Sequence, residues 1–270
     1  MEYIKDLESL GNLISKFFRK GTSTNNYLLL DAYKNHIGQK KLGFVANGQN
    51  IAFLIEKSDF LQIFFYLNDL SEGLVFPPGK PLVMEIIYRG EQHKPTEIFR
   101  YWETYGFKLH LTRDNMFATF NKLNVQVNNT ENIILKYADN EKEVIFTEKL
   151  LKSTLDKYTG DQLAIEEVRQ FVTDKNVLCA YHNDEMAGVL QFEIKNKVVW
   201  LGHIAVDERF RGKGVANGLV EKYIIDNNFD ENTKYQLWVI QDNLGAVNLY
   251  RKFGFIYGNK STTSMLKIHN

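Results

Sequence analysis

The spacing of apolar positions changes several times along this chain, and each change predicts an element. From Met1 to about Lys20, Ile4, Leu7, Leu10, Leu13, Ile14, Phe17 and Phe18 recur at intervals that put them on one stripe of a helix. Tyr27 to Tyr33 is apolar without a clear period. Ile51–Ile55, Leu61–Leu67 and Leu82–Tyr88 are short runs rich in Ile, Phe and Tyr, the composition of buried strands. Phe76-Pro77-Pro78-Gly79-Lys80-Pro81 holds three of the four prolines and predicts a rigid loop. Pro95 to about Tyr105 predicts a helix that the proline starts, and Leu109–Leu111 with Met116–Phe120 predicts a closing hairpin.

The polar stretch Asn121–Glu131 then predicts a linker. After it, Ile133–Tyr137 reads as a strand, followed by a helix capped by Asp139. Leu163–Phe171 has a second helical pattern, with Ser153–Gly160 as a loop between the two. Val177–Tyr181, Met186–Ile194 and Val198–Val206 predict a three-strand meander with turns at Asn183-Asp184 and Asn196-Lys197. Ala216, Leu219, Val220, Tyr223 and Ile224 predict a helix to about Asp226. Tyr235–Ile240 follows as a strand, Asn243–Tyr250 as a helix, and Ser264–Ile268 as a last strand.

The chemistry concentrates where the third meander strand meets its helix. An apolar strand ends in Ile204-Ala205-Val206, and Arg211-Gly212-Lys213-Gly214-Val215-Ala216 leads into the helix. The first N–H groups of a helix have no partner within it and sit at the positive end of the macrodipole, so they suit phosphate. Gly212 and Gly214 allow the backbone to approach a bulky anion, while Arg211 and Lys213 add charge. The patterns GxxxxGK[ST] and GxGxxG are both absent.

This stretch resembles the acetyl-CoA-binding motif of the GCN5-related N-acetyltransferases (GNAT), in which Arg or Gln is followed by two residues, Gly, one residue, and Gly or Ala. Here it reads Arg211-x-x-Gly214-x-Ala216. The register Arg209-x-x-Gly212-x-Gly214 also fits; the first is preferred because about four residues separate Val206 from Arg211, the family's usual spacing. A second family signature lies downstream, Asn243-x-x-Ala246-x-x-x-Tyr250-x-x-x-Gly254-Phe255. A strand-to-helix turn needing glycines for geometry accounts for Gly212 and Gly214, but not for Asn243, Tyr250 and Gly254-Phe255 at these offsets.

The resemblance implies an α/β fold of mixed, mostly antiparallel sheet flanked by helices, with acetyl-CoA as co-substrate and an amine as acceptor. It implies pantetheine pairing along Ile204, Ala205 and Val206, pyrophosphate on the amides of Arg211, Gly212, Lys213, Gly214, Val215 and Ala216, and a polar contact from Asn243. Tyr250 is the implied general acid. A phenol has a pKa of about 10 and a thiol about 8.5, so a hydrogen-bonded Tyr can protonate a leaving thiolate. Relatives carry a general base on the outward face of this strand, but the corresponding positions are Trp200 and Gly202. His203 is adjacent and, by strand alternation, faces the other way; Glu193 and His182 are further candidates of the same rank.

An internal likeness points to two such folds in tandem. Tyr101–Phe107 reads YWETYGF and Leu249–Phe255 reads LYRKFGF, an offset of 148 residues (254 minus 106). Trp102 then stands where Tyr250 stands, and Ile63–Asn68 (IFFYLN), with neither glycine nor cation, stands where Arg211–Ala216 stands. The expectation is a degenerate first domain over residues 1–125 without a cofactor site, and an acetyl-CoA-binding domain over 131–270.

Composition narrows the picture further. Thirty-three basic and 33 acidic side chains in 270 residues leave no net charge, which removes the electrostatic argument for nucleic acid or an acidic membrane. The single Cys179 excludes an internal disulfide framework and fits a reducing compartment, the cytoplasm. No apolar run reaches the roughly 18–20 residues of a membrane span, and the polar start predicts no signal peptide. No metal site is expected, and a homodimer is compatible with the sequence. The chief alternative to a working N-acetyltransferase is a non-catalytic acyl-CoA-binding or scaffold protein that keeps the fold.

Overall fold

The computed structural model describes residues 1–125, 132–160 and 162–268. In chain order the strands are β1 (Glu2–Tyr3), β2 (Ser23–Thr24), β3 (Leu42–Asn47), β4 (Asn50–Glu56), β5 (Leu61–Leu67), β6 (Leu82–Tyr88), β7 (Lys108–Thr119), β8 (Ile133–Tyr137), β9 (Val177–His182), β10 (Glu185–Lys195), β11 (Val198–Val206), β12 (Lys234–Ile240) and β13 (Ile256–Lys267). The helices are α1 (Leu7–Phe17), α2 (Lys34–Gly38), α3 (Thr96–Thr104), α4 (Glu141–Thr154), α5 (Ile165–Thr173), α6 (Val215–Asp226) and α7 (Leu244–Lys252).

Residues 1–112 with 260–270 form one compact unit and residues 113–259 the other. This division differs from the sequential one at 125–131. Ser261–Lys267, in the second half of β13, pair antiparallel with β6 and complete the first unit. Arg113–Thr119 of β7 pair antiparallel with β12 and complete the second. Lys108–Thr119 is one continuous strand, where a hairpin was expected, because the polar residues Thr112–Asn115 remain extended against neighbours. The expected linker Asn121–Glu131 lies outside the described residues from 126 onward.

In the first unit, α3 packs on the sheet through Ile98, Phe99, Tyr101 and Trp102. Its strands β5 and β6 run parallel but pair only at Leu61–Gln62 with Leu82–Val83, and then part. The crossover between them, Asn68–Pro81, contains no helix. The offset of 148 places Ile63–Asn68 opposite the glycine loop, yet Ile63–Leu67 belong to β5 itself. The segment that follows the strand here is therefore the proline-bearing crossover, whose prolines lack N–H donors.

In the second unit, β8 to β11 form an antiparallel meander and β11 pairs with β12 in parallel. One sheet face is covered by α6 and α7, with Leu219, Val220, Tyr223, Ile224, Val247 and Tyr250 in that core. The other carries Leu150 and Leu151 of α4 against Cys179, Val189 and Ala205. Asn140, one residue after the cap expected at Asp139, starts α4 by accepting the Glu143 N–H at 3.1 Å. Asp139 instead donates its own N–H to the Glu143 carboxylate at 2.8 Å.

Candidate functional site

The parallel pairing of β11 with β12 covers only Val198–Leu201 against Lys234–Leu237. Past that point the pairing ends, and among the described residues no strand pairs with the backbone of β11 from Gly202 to Val206 on its β12 side. A groove of about 490 Å³ opens beside this free edge, lined by Ile204, Val206, Ala216, Asn217, Asn243, Ala246, Leu249 and Lys252 among others. An unpaired strand edge presents N–H and C=O groups to any extended ligand.

At one end of the groove lies the glycine turn. Gly212 (φ 77°) and Gly214 (φ 85°) both adopt left-handed backbone, which explains why glycine occupies both positions. Gly214 is the residue before α6 and offers no side-chain cap, so the first amides of the helix remain available. The arginines of the turn are engaged with carboxylates: Arg209 with Asp207 and Glu185, Arg211 with Glu208 at 3.2 Å. The Lys213 ammonium sits 5.1 Å from the centre of the Phe210 ring.

Asn243 takes the position before α7, where its Oδ1 accepts the Ala246 N–H at 3.1 Å, and it lines the groove as well. Ile204 and Val206 line the groove, whereas Ala205 points into the core beneath α4. Tyr250 is not on the groove wall. It is 3 % exposed within the α6–α7 core, edge-on to Phe255, and burial raises its pKa above the ordinary phenol value.

The base candidates are rearranged by a β-bulge. Gln191 stands opposite His203 but Phe192 stands opposite Leu201, which leaves Gly202 as the extra residue of β11. Leu201 and Ile204, three apart, consequently pack on the same core, while Ala205 belongs to the opposite one. His203 therefore shares the α4–α5 face with Trp200 and Ala205 instead of facing away from Trp200, as unbroken alternation predicts. A Cβ at Gly202 would strike the Oε1 of the buried Gln191, so a larger residue there would have to displace that side chain. Glu193 stands opposite Trp200 on the neighbouring strand and is ion-paired to Lys195. His182 lies against the Phe210 ring with centroids 5.5 Å apart.

On the same face, the segment after α4 is fastened down. Arg113 donates to the Thr159 carbonyl at 2.7 Å and to its hydroxyl at 2.9 Å. Asp156 accepts the N–H groups of Tyr158 and Thr159. Among the groove residues, Asn217, Asn248, Leu249 and Lys252 were not singled out from the sequence. The signal was the helical face that Asn248, Leu249 and Lys252 share one and two turns beyond Asn243. Among the described residues no cluster of side chains could hold a metal ion.

Residues 144–255 match the model of the acetyltransferase (GNAT) family. No curated protein matches the sequence. The fold is similar to that of a GCN5-related N-acetyltransferase from Sphaerobacter thermophilus, with 15% identity and a TM-score of 0.57 over 81% of this chain and 76% of that one. It is similar also to a GCN5-related N-acetyltransferase from Kribbella flavida (10% identity, TM-score 0.55, 86% of this chain and 91% of that one). A tandem GNAT protein from the clavulanic acid biosynthesis pathway aligns at 10% identity and TM-score 0.50, over 84% of this chain and 83% of that one.

Proposed function

We propose that this chain, which carries a domain of the GNAT family over residues 144–255, transfers an acetyl group from acetyl-CoA to a primary amine. The observation that carries the reading is the groove: a free strand edge at Ile204 and Val206, Asn243 on its wall, and the glycine turn with open helix amides at its end.

In this reading pantetheine pairs along β11 and the diphosphate rests on the amides from Gly212 to Ala216. The acceptor amine attacks the thioester carbon from the α4–α5 face. A C–N bond forms and the C–S bond breaks within one ternary complex. The amine loses a proton to a base, for which His203 is favoured by the bulge that turns it to this face. An N–H of β11 near Ile204 stabilises the oxyanion; one such donor typically contributes about 3 kcal/mol to the barrier. The departing thiolate takes up a proton, for which Tyr250 of the family signature is the candidate donor, with its ring buried behind the groove wall.

The first unit is assigned no acyl-CoA. Support comes from its own chain: Ser23 and Thr24 pair with Leu67 and Tyr66 of β5, the strand that corresponds to β11. Asn25 fills the space where β5 and β6 part, bonding to Ile63 and Phe65 on one and to Glu85 on the other.

The complete burial of Tyr250 favours one other reading, an acyl-CoA-binding protein without turnover. Calorimetry with acetyl-CoA tests the first step. One site per chain, lost in Gly214→Glu, is expected; two sites would overturn the assignment of the first unit, and no binding would overturn the function. Turnover with a panel of amines then separates an enzyme from a binding protein.

A further inference from the structure

Three large aromatic side chains of the second unit stand outside its cores. Trp200, Trp238 and Phe117 are partly or largely exposed and join none of the hydrophobic cores among the described residues. Trp102 of the first unit, by contrast, is fully buried in one. The register brings the three together. Tyr235, Leu237 and Val239 of β12, with Met116 and Ala118 of β7, pack beneath α6 and α7, so Gln236, Trp238 and Phe117 project from the other face. Trp200 stands opposite Gln236, and Gln236 opposite Phe117, in one row across β11, β12 and β7. Trp238 lies one position past the last paired residues, Leu201 and Leu237, where the β11–β12 pairing ends. The core under α4 draws on β9, β10 and β11 and takes no residue of β12 or β7, so the rings form a floor beside it. Large apolar side chains left out of a core and grouped on one face mark a binding surface.

Resting on the acyl-transfer reading, we propose that Trp200, Trp238 and Phe117 hold the acceptor, and that this acceptor is an arylalkylamine. In that reading the thioester lies near Ile204, and the amine meets it from this face beside His203. At about 3.3 Å per residue, Trp238 sits about one residue short of His203 along the sheet, and Trp200 about 10 Å short. An aryl ring joined to nitrogen by a short alkyl chain therefore rests on the indoles while its nitrogen reaches the imidazole. Ring on ring, in offset or edge-to-face contact, is the interaction such a floor offers. A sugar or a polyamine would require several polar or acidic partners. The polar neighbours of the rings are Gln236 and Glu193, and Glu193 is already ion-paired to Lys195.

The test uses the full chain. Calorimetry with 2-phenylethylamine, with and without CoA, reads acceptor binding apart from turnover. Acetyl-CoA consumption with 2-phenylethylamine and with n-butylamine gives a ratio of kcat/KM values that does not depend on how much of a variant is folded. The wild type should bind 2-phenylethylamine and favour it over n-butylamine by about tenfold, the effect of one aromatic contact. Trp238→Leu should abolish that preference, chiefly through KM, and Trp238→Phe, which keeps a ring, should retain most of it. A preference for glucosamine or spermidine over 2-phenylethylamine, or a ratio unaltered in Trp238→Leu, would overturn the proposal. So would a wild type that binds CoA but not 2-phenylethylamine. Amine binding that is lost in Trp238→Leu, without turnover, would uphold the aromatic floor and overturn the enzyme reading alone. Failure to bind CoA would overturn the acyl-CoA reading, and the titration without CoA would still decide the floor.

Discussion

The Asn25 side chain takes the Phe65 N–H at 2.7 Å and donates to the Ile63 carbonyl at 2.9 Å, so one carboxamide replaces a strand along β5. Its Nδ2 also reaches the Glu85 carbonyl on β6 at 3.0 Å, which closes the gap between the two parallel strands of the first unit. Thr24 and Asn26 fix the segment on either side, through the Phe65 carbonyl and the Tyr66 hydroxyl. The corresponding gap in the second unit is the open groove. Asn25 is 4 % exposed, so Asn25→Leu would leave three backbone groups buried without partners. A loss of about 2–4 kcal/mol is expected from such orphaned groups, read by chemical denaturation. A change below 0.5 kcal/mol would show that water reaches the gap.

The interleaved division of the chain predicts how fragments behave. A cut within residues 126–131 separates Met265, fully buried in the first unit, from β6, and Met116, fully buried in the second, from β12. Fragments 1–125 and 132–270 expressed singly should each lack a cooperative unfolding transition, and co-expression should restore it. An independently folded 132–270 fragment would show that Arg113–Thr119 is dispensable to β12.

Glu143 predicts a pH dependence. Its carboxylate is wholly buried; burial pushes its pKa up, but hydrogen bonds from Tyr181, from Lys136 and from the Asp139 N–H outweigh that and hold it below the ordinary carboxylate value. A carboxylate depressed in the folded state stabilises above its unfolded pKa, and that stability disappears as pH falls through the folded value. The difference in unfolding free energy between wild type and Glu143→Gln should be largest near pH 7 and shrink below about pH 4. A difference constant from pH 7 to pH 3 would contradict the assignment.

Cys179 is fully buried in β9, and burial, together with the nearby Glu143 charge, pushes its thiol pKa up to about 12. A thiol so protonated is a poor nucleophile. Iodoacetamide at pH 8 should leave the native chain unmodified and label it once when unfolded; rapid native labelling would reveal local opening of β9.

Tyr250→Phe separates chemistry from packing. The Tyr250 ring is core, so the variant should unfold at nearly the wild-type denaturant concentration. If its hydroxyl serves as the general acid, kcat should fall by about a hundredfold. Retention of full kcat would remove Tyr250 from the mechanism.

The local features of this protein were fixed by neighbours in the chain. The α6 periodicity, the glycines of the turn before it and the buried run of β11 all depend on residues within a turn or two, so each was legible as a pattern. Tertiary structure decided what depends on distant partners. The bulge that turns His203 is registered by Gln191 on another strand. The closing strands were assigned to the two units by competition among distant edges, which no local pattern encodes. Asn25 gained its role from carbonyls 38 and 60 residues away. A side chain's type is written in the sequence; which backbone edge or groove it serves is set when the sheet chooses its pairings.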